Sequence, residues 1–175
     1  MRDASAARGR VQAIQMTASG LLSTYLRDHH AGSVVGLRLA HRVAGENEGN
    51  AYGEELARIA AEIEEDRATL ESVMGALGVS PDQVKDLAAS AGELVGRLKP
   101  NGRWLSYSPL SRLLELEGLV IGVTGKLALW RSLREAVVEG LEAFDLAALE
   151  ARAEDQRRRL EALRLRAAAE ALRSD

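Results

Sequence analysis

Apolar residues recur at three- and four-residue steps along four stretches of this chain, the spacing of helices that each bury one face. The first stretch runs from about Val11 or Thr17 to Ala44 and carries Leu22, Tyr25, Leu26, Val35, Leu39 and Val43. The second, from about Tyr52 to Leu77, carries Leu56, Ile59, Ile63, Leu70, Val73 and Leu77 in a steady 3.6-residue period. The third opens at Ser108-Pro109 and runs to about Glu139. The fourth opens at Asp145 and runs to about Leu172, with Phe144 and Leu149 placed to staple its first turn.

The punctuation between these stretches sets their order in space. Gly45-Glu46-Asn47-Glu48-Gly49-Asn50 is a loop by composition. Gly78 suits the left-handed residue that ends a helix. Ser80-Pro81-Asp82-Gln83 then reads as a capping box with proline at the first helical position, and Val79 and Val84 as its staple. The short accessory helix so predicted ends near Leu98, before the turn Lys99-Pro100-Asn101-Gly102. Tight loops join the first helix to the second and the third to the fourth, so each pair is antiparallel. A helix of 25 residues is about 37 Å long, and the connection between second and third is long enough to cross that distance. The expected fold is an all-α four-helix bundle of two hairpins joined by a long crossover, with residues 1–12 as a flexible N-terminus and 13–175 as one domain.

Composition agrees with that picture. Aromatics are 3% of the chain and proline occurs three times, so the core is aliphatic and helix is favoured over sheet. The formal charge of −3 is spread over both signs, which argues against a nucleic-acid binder with a basic face. With no cysteine there is no disulfide, thiolate metal site or cysteine nucleophile. No signal-peptide core and no run of eighteen apolar residues is present, so the expectation is a cytoplasmic protein with no membrane partner.

Two antiparallel hairpins with one long crossover resemble the ferritin-like superfamily over roughly Thr17 to Leu172. The resemblance implies a carboxylate on each of two helices and Glu-x-x-His on each of the other two, holding two metal ions. This chain departs from that pattern. Its histidines, His29, His30 and His41, all lie on the first helix, and none follows a glutamate by three. The second helix has Glu62-Ile63-Glu64-Glu65-Asp66 and the fourth Glu154-Asp155-Gln156, both without histidine.

Each long helix nonetheless carries a polar residue on its inward stripe. Asp28 or His29 shares a face with Tyr25, Gly32, Gly36 and Leu39; Asp66 falls between Ile63 and Leu70. Glu117 interrupts Leu110, Leu113 and Ile121, and Gln156 sits between Ala153 and Leu160. Counted from a loop centre near residue 48, Asp28 and Asp66 fall level; counted from the helix starts, Glu117 is offset from Asp66 by more than a turn; and around a loop centre near residue 142, Gln156 is level with Ala128. A buried carboxylate must be paired, hydrogen-bonded, metal-bound or protonated. One reading is an altered metal site of Asp28, His29, Glu62, Asp66 and Glu117, whose oxygens and one imidazole suit iron or manganese. The plainer reading has Asp28, Asp66 and Glu117 bonded to Arg67, Arg131, Lys126 or tryptophan indoles, fixing helix register.

Gly32 and Gly36 on the first helix and Gly118, Gly122 and Gly125 on the third each cost about 1 kcal/mol relative to alanine. Close approach of those two helices is the expected compensation, and room for a ligand the rival one. His30 and His41 lie about 16 Å apart along the helix and cannot share a metal ion. Trp130 is expected in the core, and Trp104 and Tyr107 as a clamp on the crossover. The arginines of the fourth helix, Arg152, Arg157, Arg158, Arg159, Arg164 and Arg166, are interleaved with acids and expected to form same-face pairs. Asp82 and Asp86 have no acid–base partner geometry. The functional expectation is a non-enzymatic bundle that acts through association as a homo-oligomer, with no cofactor, on the strength of Leu163, Leu165 and Leu172 around the fourth helix. The alternative is a metal-binding carboxylate protein, an oxidoreductase, and a ligand carrier with a cavity beside the third-helix glycines ranks third.

Overall fold

The computed structural model describes residues 3–80 and 107–173. Four helices account for most of them: α1 (Asp3–Glu46), α2 (Gly53–Ala76), α3 (Pro109–Glu135) and α4 (Leu146–Ala171). No strand occurs among the described residues. The expected accessory helix, Asp82, Asp86 and Trp104 lie outside them.

The ends follow the local chemistry. Ser108 caps α3 by accepting from the Ser111 N–H, with Pro109 at the first helical position. Asp145 caps α4 through the Ala148 N–H. At the end of α2 the Val79 N–H reaches Met74 O and the Gly78 N–H reaches Gly75 O, with Gly78 at φ +65°, the complete Schellman arrangement. Two boundaries differ from the sequence expectation. Helix α1 begins at Asp3 rather than near Val11, because Ala4–Arg10 is mostly alanine and arginine, with Gly9 its one glycine. Helix α3 stops at Glu135 rather than Glu139, because Val137 turns left-handed (φ +47°) and Gly140 follows at φ +89°.

Cross-links at one pole set the directions. Asn47, in the α1–α2 turn, accepts from Arg112 at the start of α3 (2.6 Å), and Arg112 also donates to Glu170 at the end of α4 (3.1 Å). Helix α1 therefore ends where α2 and α3 begin and α4 ends, giving an up–down–down–up bundle. The closest backbone packing is α3 on α4, α1 on α2, and α1 on α3. Between α2 and α4 the gap is spanned by long arginines: Arg159 of α4 reaches Glu55 and Glu62, and Arg152 reaches Glu65.

The core has two parts. One, toward the α1–α2 turn, packs Leu37, Val43, Leu56, Ile59, Leu116 and Leu160. The other, toward the opposite pole, packs Leu26, Leu70, Val73, Met74, Leu127 and Trp130. Along α2 and α4 the change from one to the other falls at Asp66 and Gln156, both buried. A polar layer divides the aliphatic core.

Candidate functional site

The polar layer is built from three helices. Lys126 of α3 donates to Asp66 Oδ2 on α2 and to Gln156 Oε1 on α4. Gln156 returns a bond from Nε2 to Asp66 Oδ2 at 3.1 Å, and Arg152 donates to Asp66 Oδ1. Both carboxylate oxygens of Asp66 are thereby held, as burial of an anion requires. Burial pushes the Lys126 ammonium below the ordinary lysine range, with the Asp66 carboxylate opposing that shift. Gln156, expected level with Ala128, meets α3 two residues away at Lys126. Among the described side chains of α1 none bonds to this layer; its buried histidine, His30, pairs with Glu71 at 3.0 Å.

Above the layer, between α1, α2 and α3, lies a cavity of about 320 Å³ with an almost entirely apolar wall. Ile63, Leu70, Leu119, Val123, Leu129 and Trp130 supply that wall. Asp66 and Lys126 reach it, as do Asp28, His29 and Arg67. Ser33 and five glycines, Gly32, Gly36, Gly118, Gly122 and Gly125, complete the lining, and exposed Gly32 and Gly122 open it to the outside. Here the expectation of close α1–α3 packing is corrected. A Cβ added at Gly32, Gly36, Gly122 or Gly125 would meet nothing within 4 Å. Only at Gly118 would it touch the opposite helix, 3.1 Å from Leu39 Cδ2. Four of the five glycines leave space empty instead of bringing backbones together.

The five residues considered as metal ligands are distributed as follows. Asp28, His29 and Asp66 line the cavity. Glu62 is outside it and held by Arg159, and Glu117 is outside it with Arg164 at 3.7 Å. Among the described residues no group of three or more His, Cys, Asp or Glu is placed to hold a metal ion. Any cation approaching Asp66 meets oxygens already taken by an ammonium, a guanidinium and an amide.

His29 packs its ring edge-on against Tyr25, centroids 4.6 Å apart. Burial holds its pKa below 6.5, and neighbouring Asp28 opposes this. The unfolded chain thus takes up a proton near the ordinary value while the folded chain still resists it. Stability from this group is present above pH 6.5 and declines as pH falls from there to the lowered folded value. Between pH 7 and 5 the His29→Gln variant is expected to lose less Tm than the parent, measured by thermal melts in matched ionic strength.

A second polar cluster, at the pole near the α1–α2 turn, was not foreseen. Asn47, fully buried, donates to Val43 O and Tyr107 Oη and accepts from Asn50 and Arg112. The Arg112 guanidinium lies 4.6 Å from the Tyr52 ring centroid and 5.6 Å from that of Tyr107. Tyr107 donates to Glu115, which also meets Arg42 at 2.6 Å. These contacts tie Tyr107 to the α1–α2 turn and to the second turn of α3. Nothing in the loop composition marks Asn47 as buried, because two of its partners, Tyr107 and Arg112, lie 60 and 65 residues away. On α4 the expected same-face pairs form, Arg157–Glu154 and Arg164–Glu161 among them.

No protein-family model matches this sequence, and no curated protein or solved structure matches it either. No helix among the described residues is long and apolar enough to cross a membrane.

Proposed function

We propose that this chain is a ferritin-like bundle whose α1–α3 cavity holds a small, mainly apolar molecule, and that it binds that molecule rather than transforming it. The observation that carries this reading is the set of glycines facing empty space. Each helix-interior glycine costs about 1 kcal/mol against alanine, and at Gly32, Gly36, Gly122 and Gly125 no packing contact compensates that cost. Room for an occupant is the compensation left. At about 320 Å³ the cavity falls at the small end of ligand pockets, roughly 300–1,000 Å³. What supports the ferritin-like placement is the up–down–down–up order with one long connection.

The test is calorimetric titration of the protein with 1-octanol, beside the Gly122→Leu variant. A Cβ added at Gly122 meets nothing within 4 Å, and leucine has the higher helix propensity, so the variant is expected to fold and be at least as stable as the parent while filling the cleft. Saturable binding by the parent, weakened at least tenfold by Gly122→Leu, is the expected result. No binding by the parent, or equal binding by both, would refute the cavity as a ligand site.

A second reading, homo-association, is favoured by Leu165 and Leu172 on α4. They are 55% and 68% exposed and seven residues apart, hence on one face. Light scattering at several concentrations decides it: a dimer broken by Leu165→Glu with Leu172→Glu is the supporting outcome.

A further inference from the structure

We infer that the occupant of the α1–α3 cavity carries a carboxylate at one end of an apolar body, with its head at Lys126, Arg67 and Trp130. This rests on the cavity reading above and names the ligand class for the same site. The buried polar atoms of the lining that lack a partner, on Trp130 and Arg67, are both donors. Trp130 is fully buried and forms part of the wall, and its indole N–H has no partner. Arg67 gives one guanidinium N–H to Glu71 at 2.8 Å, while its buried Nε–H has none. Lys126 carries three N–H groups and, among the described residues, spends two, on Asp66 and Gln156. Of the acceptors on the lining, both oxygens of buried Asp66 are occupied, Ser33 gives its hydroxyl proton to the His30 carbonyl at 2.6 Å, and the Asp28 carboxylate is exposed to water.

Charge points the same way. Two cations, Lys126 and Arg152, converge on the single buried carboxylate of Asp66. The second acid on Arg152, Glu65, is 69% exposed and screened by water. Within the buried layer positive charge is thus in excess, because the other acids nearby are exposed to water (Asp28) or held by Arg159 (Glu62). A ligand anion offsets it, and a carboxylate with two acceptor oxygens can take two of the three vacant donors at once. Burial lowers the proton affinity of Lys126, and an anion beside it raises that affinity again, so binding also stabilises the charged ammonium.

Octanoate and 1-octanol, titrated calorimetrically at pH 7.5, separate the two levels of the argument. Octanoate is expected to bind at least tenfold more tightly than the alcohol. Lys126→Met is expected to remove that advantage while leaving 1-octanol affinity within twofold; Asp66 keeps Arg152 and Gln156, so its charge stays paired. Trp130→Phe, which keeps an aromatic ring in the wall while removing the pyrrole ring and its N–H, is expected to weaken octanoate about threefold and the alcohol less. Equal binding of acid and alcohol by the parent overturns the carboxylate assignment but leaves the cavity reading standing. Binding of neither overturns both. A preference for octanoate that survives Lys126→Met and Trp130→Phe overturns the placement of the head group. Circular dichroism and the unfolding midpoint of each variant show that a loss of binding comes from a folded protein.

Discussion

Asp66→Ala is expected to lower the unfolding free energy by about 3–5 kcal/mol, the largest single-residue loss in the described part of the molecule. The residue is 2% exposed, and its two oxygens take bonds from Lys126, Arg152 and Gln156. Removing it leaves an ammonium with only an amide oxygen for partner in an aliphatic interior, and that uncompensated charge accounts for most of the loss. The triple change Asp66→Leu, Lys126→Met, Gln156→Leu removes every member of the layer that would be stranded, and Arg152 retains Glu65 at 3.0 Å. It is expected to be at least as stable as the parent, as replacement of whole buried ion pairs often is. Urea unfolding followed by circular dichroism measures both. A loss below 1 kcal/mol for Asp66→Ala would mean that the layer is open to water. A triple variant as damaged as the single one would mean that these residues direct the packing.

Gly53→Ala is the second large effect, about 2–3 kcal/mol of destabilisation. A Cβ there would stand 2.3 Å from the Asn47 carbonyl oxygen and 3.1 Å from its carbon. The obstacle is backbone, held by the turn bonds Asn50 N–H to Asn47 O and Gly53 N–H to Asn50 O. It has no flexible side-chain end to swing aside. Moving Asn47 also disturbs its bonds to Arg112 and Tyr107, so the first turns of α2 and α3 loosen together. The contrast with Gly36→Ala sharpens the test: its Cβ meets nothing within 4 Å, and the variant is expected to gain up to about 1 kcal/mol from helix propensity. The same substitution thus has opposite signs at two glycines. Equal effects at both would contradict the description of the turn and of the cavity.

The glycines also show where inference from sequence reached its limit. Small residues at four-residue spacing on two helices, Gly32 and Gly36 with Gly118, Gly122 and Gly125, signal that side chains are missing for a reason. Whether the space is closed by a neighbouring backbone or left open depends on the α1–α3 separation, which no local pattern encodes. The structure closes it only at Gly118. The polar layer behaved similarly. Asp66 and Gln156 were legible because each breaks an apolar stripe at helical period. Lys126 stood only as one of several cations able to answer Asp66, because a long side chain reaches inward from a position that does not itself look like core. Glu117, on the stripe by periodicity, turns out toward Arg164 instead.

What the sequence by itself determined is the four long helices, two of their N-caps, and the up–down–down–up order. Period, capping residues and loop length act within a few residues and need no knowledge of distant neighbours. Only the tertiary structure decided which polar groups meet, that Arg152 and Arg159 bridge α2 and α4, that Asn47 is buried, and that a cavity remains beside Lys126. Those outcomes depend on helix separation and axial rotation, set by how all four helices fill the core together, and a shift of about 1 Å or a fraction of a turn would change each of them.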